Sequence, residues 1–213
     1  MVNLNIFMEK RLFRVFFVGA PQTGKTRLKN KILQIDEVSK PTVGIDFNRN
    51  EFDFKGQKII LMINDTSGED RYLSIIGRQL KDADVVIFVY DIENITSFHA
   101  IDEYNKLVDA NCPNLIVKFL IANANHADPK VIVTHEDLVS KRKEISAQIS
   151  EETNCETGSG VGSATFLLLS YLANAIASAE CEKKEEPQKE APKKQKQKKE
   201  ASGNRQKEMC NVQ

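Results

Sequence analysis

The chain has 213 residues, 41% of them hydrophobic, and equal numbers of acidic and basic side chains, 30 of each. That is enough for one ordinary domain with its own core plus an appendage. No apolar run approaches ~18–20 residues, so no membrane-spanning helix is expected, and the N-terminus, broken by Glu9, Lys10 and Arg11, lacks the form of a signal peptide. Cys112, Cys155, Cys181 and Cys210 are dispersed with no C-x-x-C pair, so a reduced, cytosolic chain is expected.

Residues 1–10 are an N-terminal extension. Leu12-Phe13-Arg14-Val15-Phe16-Phe17-Val18 then reads as a buried strand, and Leu28 to Ile35 as a helix. Between them lies Gly19-Ala20-Pro21-Gln22-Thr23-Gly24-Lys25-Thr26, a complete G-x-x-x-x-G-K-[ST] phosphate loop. The strand–loop–helix order is what the chemistry needs. Backbone N–H groups can close around phosphate oxygens, and the helix N-terminus adds positive partial charge. Gly19, Gln22, Thr23, Gly24, Lys25 and Thr26 are the candidate phosphate ligands, with Lys25 reaching the β- and γ-phosphates and Thr26 ligating Mg²⁺.

Gly44 to Phe54 alternates like a half-buried strand, Lys55-Gly56-Gln57 is a turn, and Lys58 to Ile63 is the next strand, together an edge hairpin. Val85 to Tyr90 and Leu115 to Ala122 are continuous apolar runs, as expected of strands covered on both faces. Helical spacing appears over Ser97 to Ala110, Glu136 to Glu151 and Ala164 to Ala179. The alternation predicts an α/β domain over residues 11–180 with a mostly parallel sheet and helices on both faces. From Glu182 onward ten Lys/Arg stand against six Asp/Glu with almost no large apolar residue, and residues 181–213 are predicted to be a disordered tail.

Four motifs in order now carry a family resemblance. They are the phosphate loop, Pro41-Thr42-Val43-Gly44-Ile45-Asp46-Phe47, Asp65-Thr66-Ser67-Gly68-Glu69-Asp70-Arg71-Tyr72, and Tyr90-Asp91-Ile92 followed by Ser97-Phe98. Together they resemble a Ras-superfamily small GTPase, nearest the Rab branch. The resemblance implies a six-stranded P-loop fold, GTP and GDP as ligands, and Mg²⁺ held by Thr26, Thr42 and Asp65. It also implies that Thr42 and the Gly68 N–H sense the γ-phosphate, and that effectors, an exchange factor and a GTPase-activating protein are partners.

The departures from that pattern matter as much. Glu69 stands where the family's water-positioning Gln belongs, and a carboxylate only accepts and adds charge beside an anionic phosphate. Hydrolysis is therefore expected to be slow. The guanine-reading N-K-x-D falls without gaps on Asn123-Ala124-Asn125-His126, or with a two-residue shift on Asn125-His126-Ala127-Asp128. The first register keeps only the Asn, while the second restores Asn125 and Asp128. The last base motif is read at Glu156-Thr157-Gly158-Ser159-Gly160, placing Gly158 and Ser159 beside the base without the family's Lys. Of the Rab surface aromatics Phe47 remains, with Asn64 and Gln79 at the other two positions.

The chain ends Cys210-Asn211-Val212-Gln213, a C-a-a-X box of the type that takes a farnesyl group, behind Lys183-Lys184, Lys193-Lys194 and Lys198-Lys199. One lipid plus a basic segment suits an anionic leaflet, so the cytoplasmic side of a membrane with a cytosolic pool is expected. Nucleic acid is not an expected partner. Two other readings stand beside this one: a pseudo-GTPase interaction module, and a P-loop protein with relaxed or adenine specificity.

Overall fold

The computed structural model describes residues 12–36 and 41–185, with side chains described as far as residue 178. The order of elements is β1 (Leu12–Val18), α1 (Lys25–Leu33), β2 (Ile45–Phe54), β3 (Gln57–Thr66), a 3-10 turn (Asp70–Tyr72), α2 (Leu73–Leu80), β4 (Val85–Asp91), α3 (Ile95–Asn111), β5 (Val117–Ala124), α4 (His135–Glu144), β6 (Ile149–Asn154) and α5 (Val161–Glu185). The six strands form one sheet in the order β2-β3-β1-β4-β5-β6. Only β2 runs antiparallel, paired with β3 from Ile45↔Thr66 to Phe54↔Gln57. The predicted edge hairpin is therefore present.

Period-two alternation splits the core into two layers. Phe13, Val15 and Phe17 of β1 point to one face with Ile87 and Val89 of β4, where Leu28 and Ile32 of α1 and Leu168, Leu172 and Ile176 of α5 cover them. Phe16 and Val18 point the other way with Phe88 and Tyr90, under Ile76 and Leu80 of α2, Ile101 and Val108 of α3, and Leu138 of α4. All of β4 except Asp91 is buried, which is why it reads as an unbroken apolar run. Each such side chain removed from water stabilises the fold by about 1.5–3 kcal/mol.

Three expectations need correction. The helix expected over Glu136 to Glu151 stops at Glu144, and Ile149–Asn154 is instead the outermost strand, parallel to β5. Ser146, at φ +55°, turns the chain between them. As an edge strand of sequence ISEETN, β6 buries only Ile149 and Thr153, too little to show as an apolar run. The last helix continues to Glu185, so residues 182–185 of the basic segment are helical rather than disordered. Within that helix Val161–Ser178, with mean hydropathy 1.4, is long and apolar enough to cross a membrane by composition alone. Its Leu168, Leu172 and Ile176 belong to the core, and 39% of this window is buried in the fold.

The C-terminal ends of β1, β3, β4, β5 and β6 emerge along one edge of the sheet, the side where doubly wound folds build their sites. β1 sits at the centre of this edge, where the chain goes to β3 on one side and β4 on the other.

Candidate functional site

The loop between β1 and α1 is held by two glycines that nothing larger could replace. Gly19 has φ +144° and lies so close to β4 that a Cβ would stand 2.1 Å from the Val89 carbonyl oxygen. Gly24 has φ +89°, and its Cβ would meet Asn123 Nδ2 at 2.3 Å and Asn125 Oδ1 at 2.5 Å. Within the loop, Lys25 Nζ donates to the Gly19 and Ala20 carbonyls at 2.9 and 2.7 Å. Its burial pushes the ammonium down to about 8, against the raising effect of Asp65. Thr23 is turned inward, its hydroxyl donating to Ala20 O at 3.1 Å, while Gln22 is exposed at φ +63°.

Beside Lys25, three oxygen-bearing side chains from three elements converge. Thr26 Oγ1 donates to Asp65 Oδ2 at 2.6 Å, Thr42 Oγ1 donates to the same oxygen at 3.2 Å, and the two hydroxyls are 2.9 Å apart. Asp65 is 0% exposed, and burial raises its carboxyl above the ordinary range. Its other oxygen, Oδ1, is buried without a hydrogen-bond partner. An orphaned carboxylate oxygen next to two hydroxyls is a donor set that fits a hard cation such as Mg²⁺. No cluster of three His, Cys, Asp or Glu side chains exists among the described residues, so any cation here must share its shell with a ligand or water.

The second loop closes against the first. Gly68, at φ +75°, lies so near that a Cβ would stand 2.4 Å from Gly19 O and 2.6 Å from Lys25 Nζ. Glu69 does not face Lys25 by any hydrogen bond. Its carboxylate pairs with Arg71 Nε at 2.8 Å, and its side chain is 41% exposed.

At the other end of the loop, Asn123 is fully buried where β5 ends. Its Nδ2 donates to Thr23 O at 3.0 Å and Asn125 Oδ1 at 3.1 Å, and its Oδ1 accepts from Thr153 Oγ1 at 3.0 Å. Asn125 donates to Gln22 O at 3.2 Å and Asp91 Oδ2 at 2.8 Å. Both asparagines therefore border the phosphate loop. Asp128 is exposed, and no hydrogen bond among the described residues links it to this group. His126 is also exposed, its Nδ1 paired with Glu93 Oε2 at 2.5 Å, which raises the imidazole and lowers the Glu93 carboxyl.

The loop after β6 differs from the sequence reading. Thr153 docks on Asn123, Cys155 reaches the phosphate loop, and Glu156 pairs with Arg27 of α1. Cys155 N donates to Ala124 O at 2.9 Å and its Sγ lies 3.9 Å from Gly24 O, while burial pushes its thiol up to about 11. Gly158 and Ser159 instead close a surface turn, with Gly158 N on Asn154 O and Asn154 N on Ser159 O. The signal was available, since Glu152-Thr153 is an earlier Glu-Thr pair four residues upstream of Glu156-Thr157.

Three further site residues carried no signal of their own in the sequence. Arg27 hydrogen-bonds Asn125 O and Glu156 across α1. Tyr104 of α3 donates to Gly68 O. Lys29, only 5% exposed, lies 2.8 Å from Asp46 Oδ2 and 4.0 Å from Asp65 Oδ2, so it ties the start of β2 to α1 beside the hydroxyl cluster. That contact holds the Asp46 carboxyl below its usual range.

A glycine-backed loop at the C-terminal end of β1, with a buried lysine and a hydroxyl–carboxylate cluster beside it, defines a P-loop nucleotide-binding domain of the α/β class. Residues 14–173 match the Ras family, well over half of the sequence, and the chain belongs to that family. Ras-family proteins are small GTPases that bind GTP, GDP and Mg²⁺ and generally work with effectors, exchange factors and activating proteins.

Proposed function

We propose that this protein is a Rab-like nucleotide switch that binds Mg²⁺-GTP and Mg²⁺-GDP and turns GTP over slowly. The observation that carries the reading is the orphaned Asp65 Oδ1 beside Thr26 and Thr42, next to the buried Lys25. In this reading Lys25 exchanges its two backbone carbonyl partners for phosphate oxygens, and the loop N–H groups bind the rest of the phosphate chain. Thr26, Thr42 and Asp65 would hold Mg²⁺, which would neutralise negative charge on the bound phosphates. Thr42 and Gly68 come from the two segments that flank the hairpin, so both segments report on the terminal phosphate. Asn123 anchors the base end to the loop, and the ungapped register fits its burial between Thr23 and Thr153 better than the shifted one fits Asp128.

Membrane tethering belongs to the same proposal. Cys210 and the tail beyond residue 185 lie outside the described residues, and the reading rests on the C-a-a-X box and the lysine clusters of the sequence. A role in vesicle traffic or signalling follows from the resemblance to Rabs. A prenyl mass increment on the C-terminal peptide, lost in Cys210→Ser, tests the tether.

The central test is equilibrium binding of fluorescent GTP and GDP to the full chain, with Mg²⁺ and with chelator. Sub-micromolar, Mg²⁺-dependent binding supports the switch. A folded protein that binds neither nucleotide refutes it and leaves an interaction module.

A further inference from the structure

We infer that Arg27 fills the base site and sets how far this protein distinguishes guanine from other bases, an inference that rests on the nucleotide-binding reading above. A nucleotide whose phosphates lie on residues 19–26 must put its base beside Gly24, between the loops after β5 and β6. Asn123, Asn125 and Cys155 all border Gly24 and mark the walls of that space. One side chain spans it. Arg27 Nη1 donates to the Asn125 carbonyl at 2.9 Å, and Nη2 pairs with the Glu156 carboxylate.

The chemistry of that contact is specific. Guanine presents N1–H and a 2-amino group, a flat run of N–H donors that seeks a carboxylate and carbonyl acceptors. A guanidinium is the same flat N–H donor unit in a side chain. Arg27 thus takes the acceptors that a guanine would use, and Glu156 is the carboxylate it holds there. The other candidates are committed elsewhere or out of reach. His126 is paired with Glu93, Ala124 offers no stacking side chain, and Asp128 is not joined to the cluster. Asp91, the remaining carboxylate facing Asn125, already accepts from Asn125 Nδ2 and from Glu93 N.

Guanine can enter only by displacing Arg27 from Glu156. The two side chains are 35% and 54% exposed, so the ion pair is partly screened by solvent and its displacement is cheap. Removing Arg27 should therefore tighten GTP binding by roughly three- to tenfold, the range of one exposed pair plus one hydrogen bond. Binding through the phosphates alone should be unaffected once the lost charge is normalised out.

Calorimetric titration of the full-length wild type, Arg27→Ala, Arg27→Gln and Arg27→Ala/Glu156→Gln with Mg²⁺-GTP, Mg²⁺-ATP and Mg²⁺-tripolyphosphate tests this. The affinity ratio of GTP to tripolyphosphate should rise in both single variants, by more than the ratio of ATP to tripolyphosphate, and fall back in the double variant. Arg27→Gln guards against misfolding in Arg27→Ala, with thermal melts as the check on both. A GTP ratio that is unchanged or lower in the folded single variants overturns the inference while leaving phosphate binding intact. If no protein binds even tripolyphosphate, the nucleotide-binding reading itself fails and this inference goes with it.

Discussion

The Tyr104 hydroxyl donates a 2.9 Å hydrogen bond to the carbonyl of Gly68, joining the middle of α3 to the loop whose backbone lies against Lys25. Burial holds the phenol proton on, pushing it up to about 12, so the donor is present across the physiological range. The pair forms one wall of a cavity of about 340 Å³ that Pro21, Asp70, Leu73 and Leu107 also line. The bond fixes the Gly68–Glu69 peptide plane, immediately beyond the Gly68 N–H.

Tyr104→Phe should therefore loosen residues 68–80 without disturbing the core. The lost bond leaves the Gly68 carbonyl unpaired at a cost of about 1 kcal/mol. Limited proteolysis should cut within 68–80 faster than in wild type, and chemical denaturation should show the small loss of stability. Unchanged cleavage would mean that the packing of Leu73 and Ile76, rather than Tyr104, holds the segment.

How much of this was legible in the sequence follows from how local each signal is. The phosphate loop was readable because strand, glycines, Lys25 and Thr26 lie within one short segment. Asp65 was readable because it ends an apolar run. The β6 strand was not, because an edge strand shows one face to water and buries only two of its six residues. Thr153 was passed over because two Glu-Thr pairs compete, and only the tertiary contact with Asn123 separates them. The contacts of Arg27 with Glu156 and of Tyr104 with Gly68 span 129 and 36 residues, and no period or motif marks either partner. Lys29 falls on a helix turn beside Leu28 and Ile32, where its amine reads as solvated until β2 and Asp65 are placed against it.

Lys25 gives a pH dependence whose direction is fixed by its burial. Its folded value of about 8 lies below the ordinary 10.5. Between those values the unfolded chain still holds a proton that the folded chain has released. Stability of the ligand-free protein therefore rises from pH 8 to 10.5, by at most about 1.4 kcal/mol per pH unit from this group. Below pH 8 the fold bears the cost of the buried ammonium. An anionic ligand needs that ammonium, so phosphate binding should weaken as pH rises through 8. The stability difference between wild type and Lys25→Met, followed by denaturant melts across this window, isolates the effect; a flat difference refutes it. The same variant should lose about 10–100-fold in nucleotide affinity, as expected for hydrogen bonds to a charged donor.

Asp65 separates the metal from the nucleotide. With its Oδ1 unpaired and buried, the carboxylate gains a partner only when a cation or donor arrives. In the presence of GDP, Mg²⁺ at a hundredfold excess over its Kd should stabilise the wild type by about 2.7 kcal/mol. Asp65→Asn keeps the shape but removes the charge, and its melting temperature should stop responding to Mg²⁺. Thr26→Val should behave the same way, because the hydroxyl it lacks is the one 2.6 Å from Asp65. A full Mg²⁺ response in both variants would place the cation elsewhere.

In the proposed switch, Glu69 would set the rate at which a bound triphosphate is lost. Its carboxylate is turned toward Arg71, at 2.8 Å, and half open to solvent, so it offers no donor to the phosphate side of the loop. That pairing also raises the Arg71 guanidinium further. An amide in its place can accept from a water and donate toward a phosphate oxygen at once, and it removes one negative charge from beside an anion. Glu69→Gln should speed single-turnover GTP hydrolysis by about tenfold or more, a barrier change of about 1.4 kcal/mol, with nucleotide affinity almost unchanged. Arg71→Ala separates two causes. If Arg71 merely holds Glu69 away, freeing the carboxylate leaves hydrolysis slow, because its charge and lack of a donor persist. If Arg71→Ala accelerates hydrolysis as much as Glu69→Gln does, the carboxylate is itself competent and the ion pair is what restrains it.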